Sequence, residues 1–225
     1  MEAILQVVCP IFVWVFAAFH LVLMIVQFKS YSKTKEPLFL ISAFVIFGLF
    51  YDALILSLGT VLPEGALLKG LSQVRYISHG ALIPLLIPIC AYALNFKKTG
   101  KTVVWIITGL LIASGIASGI ATVTVPEHFG VVRYAMDKTA TPFWAYIIST
   151  TVLAFGMDIP LLIAGIIVWI KQKTPALFLS GFFMFVFSAL GAVCMNYMFF
   201  ISMPGELLMA LFFYIYSRSR CKKKA

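Results

Sequence analysis

Apolar residues run along this chain in seven long stretches, and polar residues collect between the stretches instead of alternating within them. A helix needs about 20 consecutive apolar residues to cross a bilayer. The pattern predicts spans over residues 4–28, 38–62, 66–96, 102–125, 143–170, 175–195 and 198–217. The first has no basic leader and no small-residue cleavage site, so it reads as a retained span. The longest connection, PEHFGVVRYAMDKTATP, carries mixed charge and is expected to be a loop. No internal repeat and no linker stands out, so the expectation is one transmembrane helical domain over 1–225.

The last apolar stretch can be divided in two ways. Met203-Pro204-Gly205 is its strongest turn signal. A break there leaves about 12 residues before Arg218, about 18 Å of helix against a ~30 Å core. A break near Cys194 to Tyr197 yields two spans of adequate length, with Pro204-Gly205 as a kink inside the seventh.

Composition agrees with the pattern. The chain is 62% hydrophobic and 11% charged, where a soluble domain is about half apolar and about a quarter charged. Its net charge of +9 lies in short clusters between spans, which excludes a nucleic-acid footprint and makes the bilayer the partner. With seven spans, thirteen Lys and Arg fall on one side. Lys69, Arg133 and Lys138 fall on the other, and Arg75 is the seventeenth. That bias predicts an external N-terminus and a cytoplasmic C-terminus. The stretch Arg218 to Lys224 reads as a stop and an anionic-lipid contact, about 1 kcal/mol per basic residue near the surface. The four cysteines show neither CxxC nor metal-ligand spacing.

Candidate chemistry lies inside the spans. Arg75 and His79 stand four residues apart in LSQVRYISHGALIPLLIP, so a helix stacks them on one face, with Ser72 one turn earlier. A cation in hydrocarbon costs several kcal/mol unless it meets a partner or water. Depth shows what can answer it. Asp52 lies about 15 Å from the outer end of the second span, and Arg75 and His79 about 13 and 20 Å from that of the third, at 1.5 Å per residue. Glu206 falls about 12 Å into the seventh span by the same rise. Asp158, on the fifth, is deeper. The layer then holds one Arg against up to three acids, which calls for one acid protonated or facing water. Pro84 and Pro88, Pro160 and Pro204 each interrupt a helix beside one of these residues, which suggests a widened polar pocket. Gly115 and Gly119 form a GxxxG that suits close helix packing, either within the chain or across a homo-oligomer.

The stretch FYDALILSLG, Phe50 to Gly59, followed by RYISH, Arg75 to His79, and then a proline-rich run, resembles uncharacterised small multi-pass integral membrane proteins with a YD(N)…R(F/Y)xxH pattern. The likeness covers the second and third spans. It departs at Ala53, where the pattern has Asn. It implies no activity and no cofactor, only that Tyr51-Asp52 and Arg75-His79 act together.

Several chemistries lack their residues. Zinc hydrolysis needs three ligands, and only His79 lies in the layer; His20 is expected in the inner half of the first span and His128 in the outer loop. Ser72 or Ser78 with His79 and Asp52 could form a triad, but no nucleophile motif accompanies them. The seventh span has no lysine for a retinal Schiff base, and no P-loop or dinucleotide fingerprint appears, so no cofactor or metal is expected. Three readings remain. One is a protein that binds or transports a small or amphipathic ligand at Asp52, Ser72, Arg75, His79, Asp158 and Glu206. Another is an intramembrane lipid-processing enzyme with Asp52 and His79 as acid and base. The third is a scaffold whose ion pair is only a clamp.

Overall fold

In a computed structural model, which describes residues 2–193 and 195–224, the chain is an all-α bundle with one short β-hairpin. The helices are α1 Glu2–Thr34, α2 Pro37–Leu58, α3 Ala66–Leu82, α4 Leu86–Ala93, α5 Lys98–Ala121, α6 Phe143–Ile147, α7 Gly156–Gln172, α8 Ala176–Val193, α9 Met198–Ile201 and α10 Met203–Lys224. Six helical stretches are long and apolar enough to cross a membrane: Ile4–Thr34, Pro37–Leu58, Ala66–Ala93, Lys98–Ala121, Phe143–Gln172 and Met198–Lys222. The seventh expected span is a shorter apolar helix, Ala176–Gly191 within α8.

Local chemistry ends these helices. Pro37 opens α2 at a position where its missing N–H costs nothing. Lys35, Asn95 and Lys173 adopt left-handed backbone and close α1, α4 and α7 at one end of the bundle. The Lys35 and Lys173 amides donate to the Tyr31 and Trp169 carbonyls at 2.8 and 3.0 Å. We call this the lysine-rich end, since the clusters around Lys33, Lys98, Lys171 and Lys222 gather there.

The main core joins α2, α4, α7, α8 and α10 through Leu38, Val45, Leu86, Leu161, Leu177 and Phe213, all at most 2% exposed. Helices α1 and α5 turn broad apolar faces outward, with Val7, Ile11, Ile106 and Leu110 all at least 60% exposed. Such a surface suits a lipid environment.

The expected breaks are present. A 3-10 turn, Ile83–Leu85, separates α3 from α4 at Pro84. Residues Ile148–Phe155 wind as a π-helix before α7 and Pro160. Ser202 separates α9 from α10 at Pro204. The break between α8 and α9 falls at Met195–Tyr197, within the expected Cys194 to Tyr197; Cys194 itself lies outside the described residues.

Several boundaries differ from expectation: α1 runs on to Thr34, and the fourth span is shifted to Lys98–Ala121. The second span stops at Leu58 because the chain turns over Ser57 and Leu58, whose carbonyls accept from Thr60 and Leu62. The basic stretch after Ser217 continues α10 as helix instead of leaving it as a tail. The expected loop after α5 is a hairpin. Strand β1, Thr124–His128, pairs antiparallel with β2, Val132–Met136, placing Glu127 opposite Arg133 and Pro126 opposite Tyr134. Gly130, at φ +76°, supplies the left-handed residue that its three-residue turn needs.

The glycine pair in α5 packs inside the chain. A Cβ at Gly80 or Gly115 would overlap the other residue's carbonyl, and one at Gly119 would meet Ile77 Cα at 2.7 Å. Helix α3 therefore occupies this face, which corrects the alternative of a homo-oligomer through Gly115 and Gly119.

Candidate functional site: a polar layer beneath the hairpin

The close α3–α5 contact fixes where α3 presents its charges. Gln73 helps lock the same pair, its Nε2 donating to the Gly119 and Thr122 carbonyls at the end of α5. Two residues on, Arg75 faces α2. Its Nε lies 3.4 Å from Asp52 Oδ1. Its Nη2 donates a long bond, 3.5 Å, to the Tyr134 carbonyl of the hairpin. The Tyr76 hydroxyl donates to the same carbonyl at 3.5 Å, and the Tyr76 ring lies 5.0 Å from the Arg75 guanidinium carbon. Tyr51, beside Asp52, donates to the Leu71 carbonyl at 3.2 Å and holds α2 to α3. The Arg75 side chain is 8% exposed and that of Asp52 22%, so the carboxylate is the end of the pair that outside groups can reach.

Glu206 enters from the first turn of α10 and is buried. Ser202 reaches its Oε1 at 3.4 Å, while its Oε2 has no hydrogen-bond partner among the described residues. Glu206 lies within electrostatic reach of Asp52, Arg75 and Asp158. His79 senses both Asp52 and Arg75. Four expected residues, Asp52, Arg75, His79 and Glu206, are thus brought together. Asp158 is buried at the edge, where the π-helical stretch meets α7 and Glu206 is its neighbour. Ser72 is buried one turn before Arg75, but among the described residues no hydrogen bond joins it to the charged groups. Ser78 spends its hydroxyl on the Arg75 carbonyl at 3.0 Å, and no described serine is hydrogen-bonded to His79. Among the described residues no group of three His, Cys, Asp or Glu could hold a metal ion.

Two features depart from expectation. The Arg75–Asp52 contact is a single approach through Nε and not a two-pronged fork, because the Nη2 side of the guanidinium is drawn to Tyr134. And His20 belongs to the layer. Helix α1 extends from Glu2 to Thr34, which places His20 close to its middle, just inside its inner half. His20 is wholly buried; its Nδ1 is 2.9 Å from the Phe16 carbonyl, and its Nε2, unpartnered, is in the neighbourhood of Asp52 and Glu206. Two turns along the same face, Gln27 is also wholly buried, with neither Nε2 nor Oε1 hydrogen-bonded. The signal was the seven-residue spacing of two polar residues on the face that also carries Cys9, Val13 and Phe16.

No protein-family model, no curated protein and no solved structure matches the chain. The chain is a multi-pass membrane protein by its apolar helices, with a small set of buried charged residues.

The hairpin covers the layer. Val132 N–H donates to the Gly59 carbonyl at 2.9 Å at the end of α2. The Tyr134 hydroxyl donates to the Gly65 carbonyl at the start of α3. Arg133 pairs with Glu127 across the strands and stacks on Phe199 of α9, 4.2 Å from the ring centroid. Burial pushes the Arg133 pKa down and Glu127 opposes the shift; the group remains a cation. Sequence reasoning missed this cap, because its strongest mark is a turn glycine between two runs rich in β-formers, TVTVPEH and VVRYAM.

Proposed function

We propose that the protein binds a small or amphipathic ligand at the layer of Asp52, Arg75, His79 and Glu206, and moves it through or along the membrane. The observation that carries this reading is the set of unanswered polar atoms: among the described residues, buried Glu206 Oε2 and His20 Nε2 have no hydrogen-bond partner. A buried polar group without a partner costs about 1–3 kcal/mol, more if charged. A clamp evolved for stability alone would satisfy its members; a site leaves them for a ligand.

The charges indicate the ligand's sign. Asp52 and Glu206 lie within reach of the one guanidinium, and the accessible end of the ion pair is Asp52. A cation fits better than an anion, so an amphiphile bearing an ammonium group is the favoured class. A lipid-processing role for Asp52 and His79 is the second reading; it is favoured by both being only partly buried.

The test is thermal unfolding of the purified protein with a long-chain amine, against a neutral alcohol of equal length. The amine should raise the midpoint by several degrees and the alcohol should not. The double change Asp52→Leu with Arg75→Leu removes both charges together, should still fold, and should lose the shift. An unchanged shift in the double variant, or equal effects of amine and alcohol, contradicts the proposal.

A further inference from the structure

A second polar site lies at the lysine-rich end, independent of the layer. A cavity of about 290 Å³ opens there between the last turn of α1, the first turn of α2 and the last turns of α10. Lys33, Arg218 and Lys222 line it, with hydroxyls from Ser30, Thr34 and Tyr214. Its apolar wall includes Phe39, only 2% exposed, whose ring packs at 6.2 Å from that of Tyr214.

Three cations converge on this cavity, and among the described residues none of them forms an ion pair. The carboxylate at this end, Glu36, is turned to Arg220, with Oε1 3.4 Å from its Nε. Helix α10 continues through this region instead of ending at Ser217, and that continuation holds Arg218 and Lys222 one turn apart on the face toward Lys33. Mobile tail lysines would give only diffuse attraction; here rigid helix ends fix their spacing. The cavity lies where apolar spans Ile4–Thr34 and Met198–Lys222 end, the level at which lipid phosphates sit. The thirteen-to-three basic bias expects this end in the cytoplasm, whose leaflet carries the anionic lipids.

We propose that this cavity binds the phosphorylated headgroup of an anionic lipid, its phosphate met by Lys33, Arg218 and Lys222 and its glycerol side lying on Phe39 and Tyr214. Inorganic phosphate shares the anion chemistry but lacks the apolar portion, which distinguishes the two sources.

Cys221 lines the same cavity and is half-buried, so its thiol reports occupancy. The experiment uses the full chain with Cys9, Cys90 and Cys194 changed to Ser, in nanodiscs. Maleimide labelling of Cys221 is timed in phosphatidylcholine alone, with added phosphatidylinositol phosphate, and with millimolar inorganic phosphate. Phosphatidylinositol phosphate should slow labelling. Each of Lys33→Gln, Arg218→Gln and Lys222→Gln, normalised to its own rate in phosphatidylcholine, should raise the lipid fraction needed about fivefold. The triple change Lys97→Gln, Lys98→Gln and Lys171→Gln removes three exposed charges at the same end but outside the cavity, and should leave protection intact. Equal loss in both sets would reduce the effect to diffuse surface attraction and overturn the proposal. So would protection by inorganic phosphate with none from the lipid, or no protection at all.

Discussion

Two polar clusters are built into this bundle, and they differ in how fully they are satisfied. At the lysine-rich end, Arg220 donates from Nη1 to the Tyr92 and Ala93 carbonyls at 2.6 and 3.3 Å and from Nη2 to Asn95 Oδ1 at 2.7 Å; only its Nε, 3.4 Å from Glu36 Oε1, makes no hydrogen bond among the described residues. Gln172 donates to the Ala93 carbonyl at 2.9 Å, and Tyr216 donates to Gln172 Oε1 at 3.1 Å. The knot ties α2, α4, α7 and α10 where each begins or ends. In the layer beneath the hairpin, Arg75 has one long hydrogen bond and one 3.4 Å approach to a carboxylate. Glu206 and His20 each keep an unpartnered atom. The same residue types make a lock in one place and an unfinished constellation in the other. The difference teaches that a buried arginine in a membrane bundle is not by itself evidence of either; the count of satisfied partners separates them.

If the contrast is real, the knot should carry more stability than the layer. Arg220→Leu removes the cation beside the buried Glu36 carboxylate and the donor to Asn95 Oδ1, while the Tyr92 and Ala93 carbonyls keep the Asn95 amide and Gln172 as donors. It should destabilise the protein by about 3–5 kcal/mol. Arg75→Ala removes fewer and longer contacts, and Asp52 keeps access to the surface, so the loss should be about 2 kcal/mol. Both are read from denaturant unfolding of the detergent-solubilised protein. Equal losses, or a larger loss at Arg75, would break the comparison.

The smallest effect belongs to the hairpin's exit, outside the spans. The Asp137 carboxylate accepts from the Thr139 hydroxyl and from the Thr139 and Ala140 amides, which holds its pKa below the ordinary 3.8. A depressed folded-state value means that its contribution is present above the ordinary value and is lost as pH falls through the lowered one. Wild type should therefore melt slightly above Asp137→Asn near pH 6, and the gap should close as the pH is lowered below 3.8. A gap that widens in acid would reverse the sign.

Most of the fold was legible because membrane helices are written in long apolar runs with charged ends, and depth along each run follows from a fixed rise. That arithmetic placed Asp52, Arg75, His79 and Glu206 at one level, and the helix breaks at Pro84 and Pro204 were visible in the same way. The break at Met195–Tyr197 followed from span length against a stronger local turn signal at Pro204. What was not legible depended on rotation and on distant partners. His20 escaped because the inner end of α1 was drawn too short. The knot escaped because Arg220, Gln172 and Asn95 are each ordinary polar residues at helix ends, and only packing brings them together. The hairpin escaped because a short strand pair over a membrane bundle leaves a weak period-2 trace. Its Tyr134 carbonyl, a backbone atom, has no mark in the sequence at all.

Accessibility tests the contrast most directly. In a chain whose four cysteines are replaced by serine or alanine, His79→Cys and Gln172→Cys are introduced separately. Each is exposed in liposomes, from both sides, to a small hydrophilic cationic thiol reagent. The proposed site predicts that His79→Cys reacts, since a cation would enter the layer beside Asp52. Gln172→Cys should react far more slowly, because the knot is closed by Tyr216 and the Ala93 carbonyl. A silent His79→Cys beside a reactive Gln172→Cys, or equal rates at both, would contradict the reading of the layer as a binding site.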